Sequence, residues 1–118
     1  MLNLLLIAVL AIHDGDTLTI NLPCNLPAVC QHMPVRIYGI DTPELNDKRP
    51  DIKRLAALAK ARVMALTNKN HKVELKIVGR DKYFRLDGIV FSDGVSIADT
   101  LQAEGLAKPY TGAGPKPW

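Results

Sequence analysis

Aromatic residues are scarce in this chain: six of 118 residues are Phe, Tyr or Trp, and they are scattered. A protein-interaction scaffold that reads its partner through an aromatic cage is therefore not indicated. Lys and Arg are missing from the first 35 residues, whereas 13 of the 15 fall between Arg36 and Arg85. With a formal net charge of only +3, the basic character is regional. A polyanionic partner explains it, and so does a solvated helix face through Lys53, Arg54, Lys60 and Arg62. Long apolar runs are also lacking. The longest, Leu4 to Ile12, has nine residues, where a membrane-spanning helix needs roughly 20. The same stretch has the length of a signal-peptide core, but Met1 to Asn3 carry no positive charge and cleavage after Val9-Leu10-Ala11 would remove a strand. A buried first strand is the favoured reading, with no cleavable signal peptide and with cytoplasmic and secreted locations both open. Cysteine is nearly absent. Cys24 and Cys30 stand six apart in a loop with Pro23, Pro27 and Pro34, a spacing open to a disulfide or to free thiols. With His32 they offer three metal ligands, fewer than a structural zinc site takes.

What is present suits one folded domain over residues 1–118, at 47% hydrophobic and 23% charged residues. Ile12-His13-Asp14-Gly15-Asp16-Thr17-Leu18 joins two apolar runs at an Asp-Gly turn, and Thr17 to Leu22 alternates as a half-buried strand. Val35 to Ile40 reads as a third strand, with Val35, Ile37 and Gly39 on one face and Arg36, Tyr38 and Ile40 on the other. Thr42-Pro43 ends it and leaves Asp41 and Glu44 at its exit. Pro50 opens a helix whose inward face is Ile52, Leu55, Ala56, Ala59, Val63 and Leu66, ended by Thr67 to Asn70. Lys72 to Val78 puts Val73, Leu75 and Ile77 inward, Gly79 to Arg85 connects, and Leu86 to Phe91 is a fifth strand. Ser96 and Asp99 start a short second helix that Gly105 stops. The sum is an α+β, mainly β domain: an OB-fold five-stranded antiparallel barrel with two short helices.

The strand ends carry the chemistry. Asp16 and Asp41, if they converge, offer hard oxygen ligands to a divalent cation, with the Thr42 carbonyl and water completing the sphere. Arg36 is free to face a groove, and a guanidinium fork beside a hard cation points to a phosphate. Turn-forming acids and ordinary surface ion pairs are the plain alternatives for the same residues. His13, His32 and His71 share no spacing and are assigned no chemistry.

Five ordered motifs carry a resemblance: Asp14-Gly15-Asp16-Thr17, Arg36, Asp41-Thr42-Pro43-Glu44, Asp81-Lys82-Tyr83-Phe84-Arg85 and Gly105 to Tyr110. Together they resemble the staphylococcal nuclease (thermonuclease) family, over residues 12 to 110. The resemblance implies the same barrel and a calcium-dependent endonuclease that cleaves DNA and RNA with little sequence preference and leaves 3′-phosphates. It implies Asp16, Asp41 and the Thr42 carbonyl as Ca2+ ligands, with Asp14 near the ion through water or simply holding its turn. Arg36 and Arg85 would grip phosphate, Glu44 would orient or deprotonate the attacking water, and Tyr83, Tyr110 and Lys82 would contact the nucleotide. Two departures stand out: Phe84 occupies a position where the family commonly has glycine, and a Pro- and Gly-rich tail replaces the third helix of longer members. The chain resembles a compact version whose stability leans on the Trp118 tail or on an oligomer. The alternative is an OB-fold nucleic-acid-binding module without catalysis, which loss of the acids or arginines would favour; all are present here.

Overall fold

The computed structural model describes residues 4–24 and 30–118. In chain order the elements are β1 (Leu5–Leu6), β2 (Ala8–Asp14), β3 (Thr17–Asn21), β4 (Met33–Ile37), β5 (Ile40–Asp41), α1 (Pro50–Thr67), β6 (Val73–Arg80), β7 (Leu86–Ser92), β8 (Val95–Ser96), α2 (Ile97–Ala103) and β9 (Lys108–Pro109). The main sheet runs β1-β6-β7-β4-β3-β2, with β8 paired to β7. Only Ile7 separates β1 from β2, so one stretch of chain pairs with β6 at one end and with β3 at the other. The sheet therefore curls back on itself, the OB-like, mainly β arrangement expected from the pattern. One seam departs from antiparallel order: β4 and β7 run parallel through Val35, Arg36 and Ile37 against Leu86, Asp87 and Gly88. The segment between these strands includes all of α1, the long crossover that parallel pairing requires.

The core is aliphatic. Leu18, Ile20, Val35, Ile37, Leu75 and Val90 from the strands pack with Ala59 and Val63 of α1 and with Ile97 and Leu101 of α2. Residues at alternate positions of β3 and β7 are buried, as half-buried strands demand. Helix α1 is 18 residues long and starts on Pro50, whose missing amide proton costs nothing at that position. On its inner face Ala56 and Ala59 are fully buried, so its backbone lies close to the sheet there. Ser92 closes its far end by donating to the Leu66 carbonyl at 2.6 Å. In α2, Ser96 accepts from the Asp99 amide at 3.4 Å, the expected cap.

Three expectations need correction. The first strand is half-buried, with Leu6 and Leu10 turned to solvent and Ile7 its one buried residue. The third strand breaks at Tyr38-Gly39, where Gly39 takes φ +89°, so Ile40 returns to the core beside Ile37. This turn defeats the period-2 face assignment, because two residues of the count leave the strand. Ile77 is exposed, not inward: the β6–β7 ladder slips between Ile77 and Gly79, and the added residue Val78 swings this end of the hairpin off the core. Cys24 and Cys30 are joined as a disulfide, with Cα atoms 5.8 Å apart, which selects among the three readings of that pair. The residues between them, 25–29 with Pro27, lie outside the described set.

Candidate active site

Strand ends and one hairpin deliver the site. Gly15 passes directly beneath α1 and the strand exit: a Cβ there would sit 2.8 Å from both Ala59 Cβ and Thr42 Cγ2. Only glycine allows this approach, so the Asp-Gly pair is a close-packing point as well as a turn. Asp14 accepts the Asp16 amide at 3.1 Å and shapes the turn. The Ile37 amide donates to the Asp16 carbonyl at 2.8 Å. The Asp16 carboxylate then accepts the Thr42 amide at 3.0 Å and the Thr17 hydroxyl at 3.1 Å. Two strand junctions distant in sequence are thereby tied at one carboxylate.

Arg36 lies between the two buried acids. Its Nη2 is 3.8 Å from Asp16 Oδ2 and 3.6 Å from Asp41 Oδ1, and its side chain is only 15% exposed. Those separations are longer than good charge-assisted hydrogen bonds, and with Nη1 donating to the Ile37 carbonyl at 3.4 Å the fork retains other donors for an incoming anion. The Tyr110 ring lies 5.9 Å from the same guanidinium. At the β6–β7 hairpin, Arg85 Nε donates to Asp81 Oδ2 at 2.6 Å, and Asp81 Oδ1 accepts the amides of Tyr83 and Arg85. Asp81 fixes the hairpin tip that carries Lys82, Tyr83 and Arg85.

All of the expected site residues, Asp14, Asp16, Arg36, Asp41, Thr42, Glu44, Lys82, Tyr83, Arg85 and Tyr110, line one cleft of about 570 Å³. Asp41 and Thr42 are buried with Asp16, whereas the Glu44 side chain stands 55% exposed at the mouth.

One residue was not foreseen. Lys116 donates to Glu44 Oε1 at 3.0 Å and also lines the cleft. The tail that carries it is strapped down: Trp118 Nε1 donates to the Asp41 carbonyl at 2.7 Å, Lys108 Nζ lies 4.1 Å over the Trp118 ring and donates to the Pro117 carbonyl at 3.2 Å, and the Tyr110 hydroxyl donates to the Gly114 carbonyl at 2.9 Å. A lone lysine among prolines and glycines has no spacing to betray it in sequence. These contacts fasten the tail across the cleft residues Asp41 and Tyr110.

Charge at the acidic end is strained. Burial, followed by a hydrogen bond to Asp16 and repulsion from it, pushes Asp14 up to about 7. Burial also opposes ionisation of Asp16, but the hydrogen bond from Asp14, the Thr42 amide and Arg36 outweigh it and hold Asp16 below its usual value. Asp41 is raised, first by burial and then by Asp16, against the pull of Lys116 and Arg36. Three carboxyls thus compete for limited positive charge, and the Thr42 hydroxyl is buried without a hydrogen-bond partner. Carboxylate, carbonyl and hydroxyl oxygens around excess negative charge are the donor chemistry of a hard divalent cation. Among the described residues, no three His, Cys, Asp or Glu side chains are clustered as a ready-made cage. The arrangement fits an ion held by two carboxylates and completed by backbone oxygen and water.

A curled OB-like sheet presents an acidic corner and two arginines to one cleft, and a guanidinium fork is chemically suited to a phosphate. The chain belongs to the staphylococcal nuclease family: residues 34–117 match the family described as staphylococcal nuclease homologue. Arg36, Asp41, Glu44, Arg85 and Tyr110 fall inside the matched region, and Asp14 and Asp16 precede it. The chain is also 35% identical over 98 residues to the SPbeta prophage-derived endonuclease YokF of Bacillus subtilis (strain 168), covering 80% of this chain and 31% of that protein. It spans about a third of the length of that relative.

Proposed function

We propose that this protein hydrolyses phosphodiester bonds within DNA and RNA, with little sequence preference and with Ca2+ as cofactor, leaving 3′-phosphates. The observation that carries the reading is the convergence of Arg36 and Arg85 with Asp16, Asp41 and Glu44 on one cleft. A phosphodiester is an anion that resists attack, so the site must neutralise it, place water in line and stabilise the added charge at phosphorus. Arg36, in β4, and Arg85, just before the neighbouring β7, bind the nonbridging oxygens, with contacts that strengthen as charge develops. Glu44, at the mouth, orients the attacking water and accepts its proton. Asp16, Asp41 and the Thr42 carbonyl would hold the calcium ion. When bound, that ion supplies Lewis-acid polarisation of phosphate and water. Tyr83, Tyr110 and Lys82 flank the nucleotide. Membership of the family and the endonuclease named among the relatives support the same activity.

A non-catalytic nucleic-acid-binding module is the second reading. The pairing of Glu44 with Lys116 and of Arg85 with Asp81 favours it, since each group must exchange an internal partner before acting. The deciding experiment digests single-stranded DNA with the purified protein in calcium, in magnesium and in chelator, beside Glu44→Gln and Arg36→Ala. Calcium-dependent cleavage, reduced about 10²- to 10⁴-fold by either substitution, is the expected result. DNA left intact in every condition but bound in a salt-sensitive way would replace the hydrolase with the binding module.

A further inference from the structure

The β6–β7 hairpin turns over Asp81 to Arg85, where the Asp81 amide donates to the Arg85 carbonyl at 2.9 Å and the Phe84 amide donates to the Asp81 carbonyl at 3.2 Å. Phe84 adopts φ +64°. This is a tight turn closed by a left-handed residue, a place that suits glycine because a side chain there crowds its own backbone. A bulky aromatic at such a position is an outlier. Strain of this kind persists where the surroundings hold it and is a pointer to function. Packing does not explain it, because Phe84 is 74% exposed, the most exposed large hydrophobic among the described residues. Its neighbour Tyr83 is 64% exposed, with Lys82 Nζ 5.2 Å and Arg85 5.4 Å from its ring. Lys82, Tyr83 and Arg85 line the cleft, while Phe84 stands just beyond it on the same tip.

Resting on the reading above, we infer that Phe84 is a base-stacking platform that holds an unpaired nucleotide of the substrate outside the cleft, next to the one at Tyr83. Stacking requires an exposed ring and tolerates any base, and Lys82 and Arg85 at the neighbouring Tyr83 ring match the backbone of a strand leaving the site. A paired base keeps its faces inside the helix and cannot use this platform. Phe84 is therefore a positioning residue that favours single strands, distinct from the groups acting on phosphorus.

The test measures binding in chelator, where cleavage does not interfere, with fluorescein-labelled oligo(dT), the same length of abasic strand, and a duplex. Phe84→Gly should weaken oligo(dT) binding about 5- to 30-fold, leave abasic-strand and duplex binding unchanged, and raise Tm because the turn is relieved. Phe84→Trp should restore oligo(dT) binding. In calcium, Phe84→Gly should raise KM for single strands with kcat nearly unchanged. Oligo(dT) bound and cut equally by wild type and Phe84→Gly would overturn the platform and leave the nuclease reading standing. Equal loss on abasic and oligo(dT) strands would also overturn it, because the residue would then serve the backbone. Wild-type protein that binds none of the three probes in chelator and leaves oligo(dT) uncut in calcium would remove both readings together.

Discussion

Asp14 and Asp16 divide one proton between them, and the division has a measurable sign. An unfolded aspartate loses its proton near 3.8, whereas folded Asp14 keeps it up to about 7. Across that interval the folded state binds more protons, so stability falls as pH rises from about 4 to 7 and then levels. The raised value of Asp41 acts in the same direction, and the lowered value of Asp16 acts oppositely below 3.8. Asp14→Asn keeps an acceptor for the Asp16 amide and replaces the shared proton with a permanent donor. It should flatten the decline and stabilise the protein at pH 7 by about 1–3 kcal/mol, after allowance for partial solvent access. Urea unfolding of both proteins at pH 5 and pH 8 reads this directly; an unchanged slope in the variant would rule it out. At Gly15 the sign is opposite. The 2.8 Å approach of Ala59 and Thr42 leaves no room for a methyl group, so Gly15→Ala should cost about 1–3 kcal/mol and reduce activity by displacing Asp16.

Among the elements, the C-terminal tail lends itself to perturbation. Lys116 and Glu44 are both more than half exposed, so their ion pair adds little to stability. Lys116→Ala should leave Tm nearly unchanged and raise the cleavage rate a few-fold at low salt, since Glu44 no longer has to part from an ammonium to receive water. A clear fall in rate would instead place Lys116 among the groups that hold phosphate. This tail was the least legible part of the sequence, because its contacts depend on where the chain folds back and on no local pattern. The β3 alternation, the Pro50 start of α1 and the Ser96 cap were legible because each follows from side-chain period or from backbone hydrogen bonding. The strand break at Gly39 and the bulge at Val78 were not, since both add or remove residues from a count that period alone assumes is unbroken. The site residues were readable as ordered motifs. The pairing of Arg36 with both Asp16 and Asp41 needed the barrel to bring three strand ends together.

For the molecule as a whole, closure of the sheet rests on a single stretch, with Ile7 at its hinge. Ile7 is buried and donates its amide to the Val73 carbonyl at 3.1 Å, linking β1 to β6 just where β2 departs toward β3. Ile7→Ala should destabilise by about 2–4 kcal/mol, whereas Leu10→Ala, on the solvent face of β2, should cost less than about 1 kcal/mol. Thermal unfolding of the two variants side by side checks the contrast. Binding of a cation at the acidic corner would act on the same global equilibrium. Millimolar Ca2+ should raise Tm more at pH 8 than at pH 5, because at the lower pH Asp14 holds its proton, which competes with the ion, and burial shifts Asp41 in the same direction. Equal shifts at both pH values would separate calcium from these carboxyls.

The chain has one tryptophan, and its indole N–H is bonded to the carbonyl of Asp41, a residue at the centre of the cleft. The protein therefore carries its own fluorophore fastened to the backbone of a cleft residue. Emission from Trp118 should shift to the red when the tail lifts, so titration with an uncleavable oligonucleotide can be followed optically without any label.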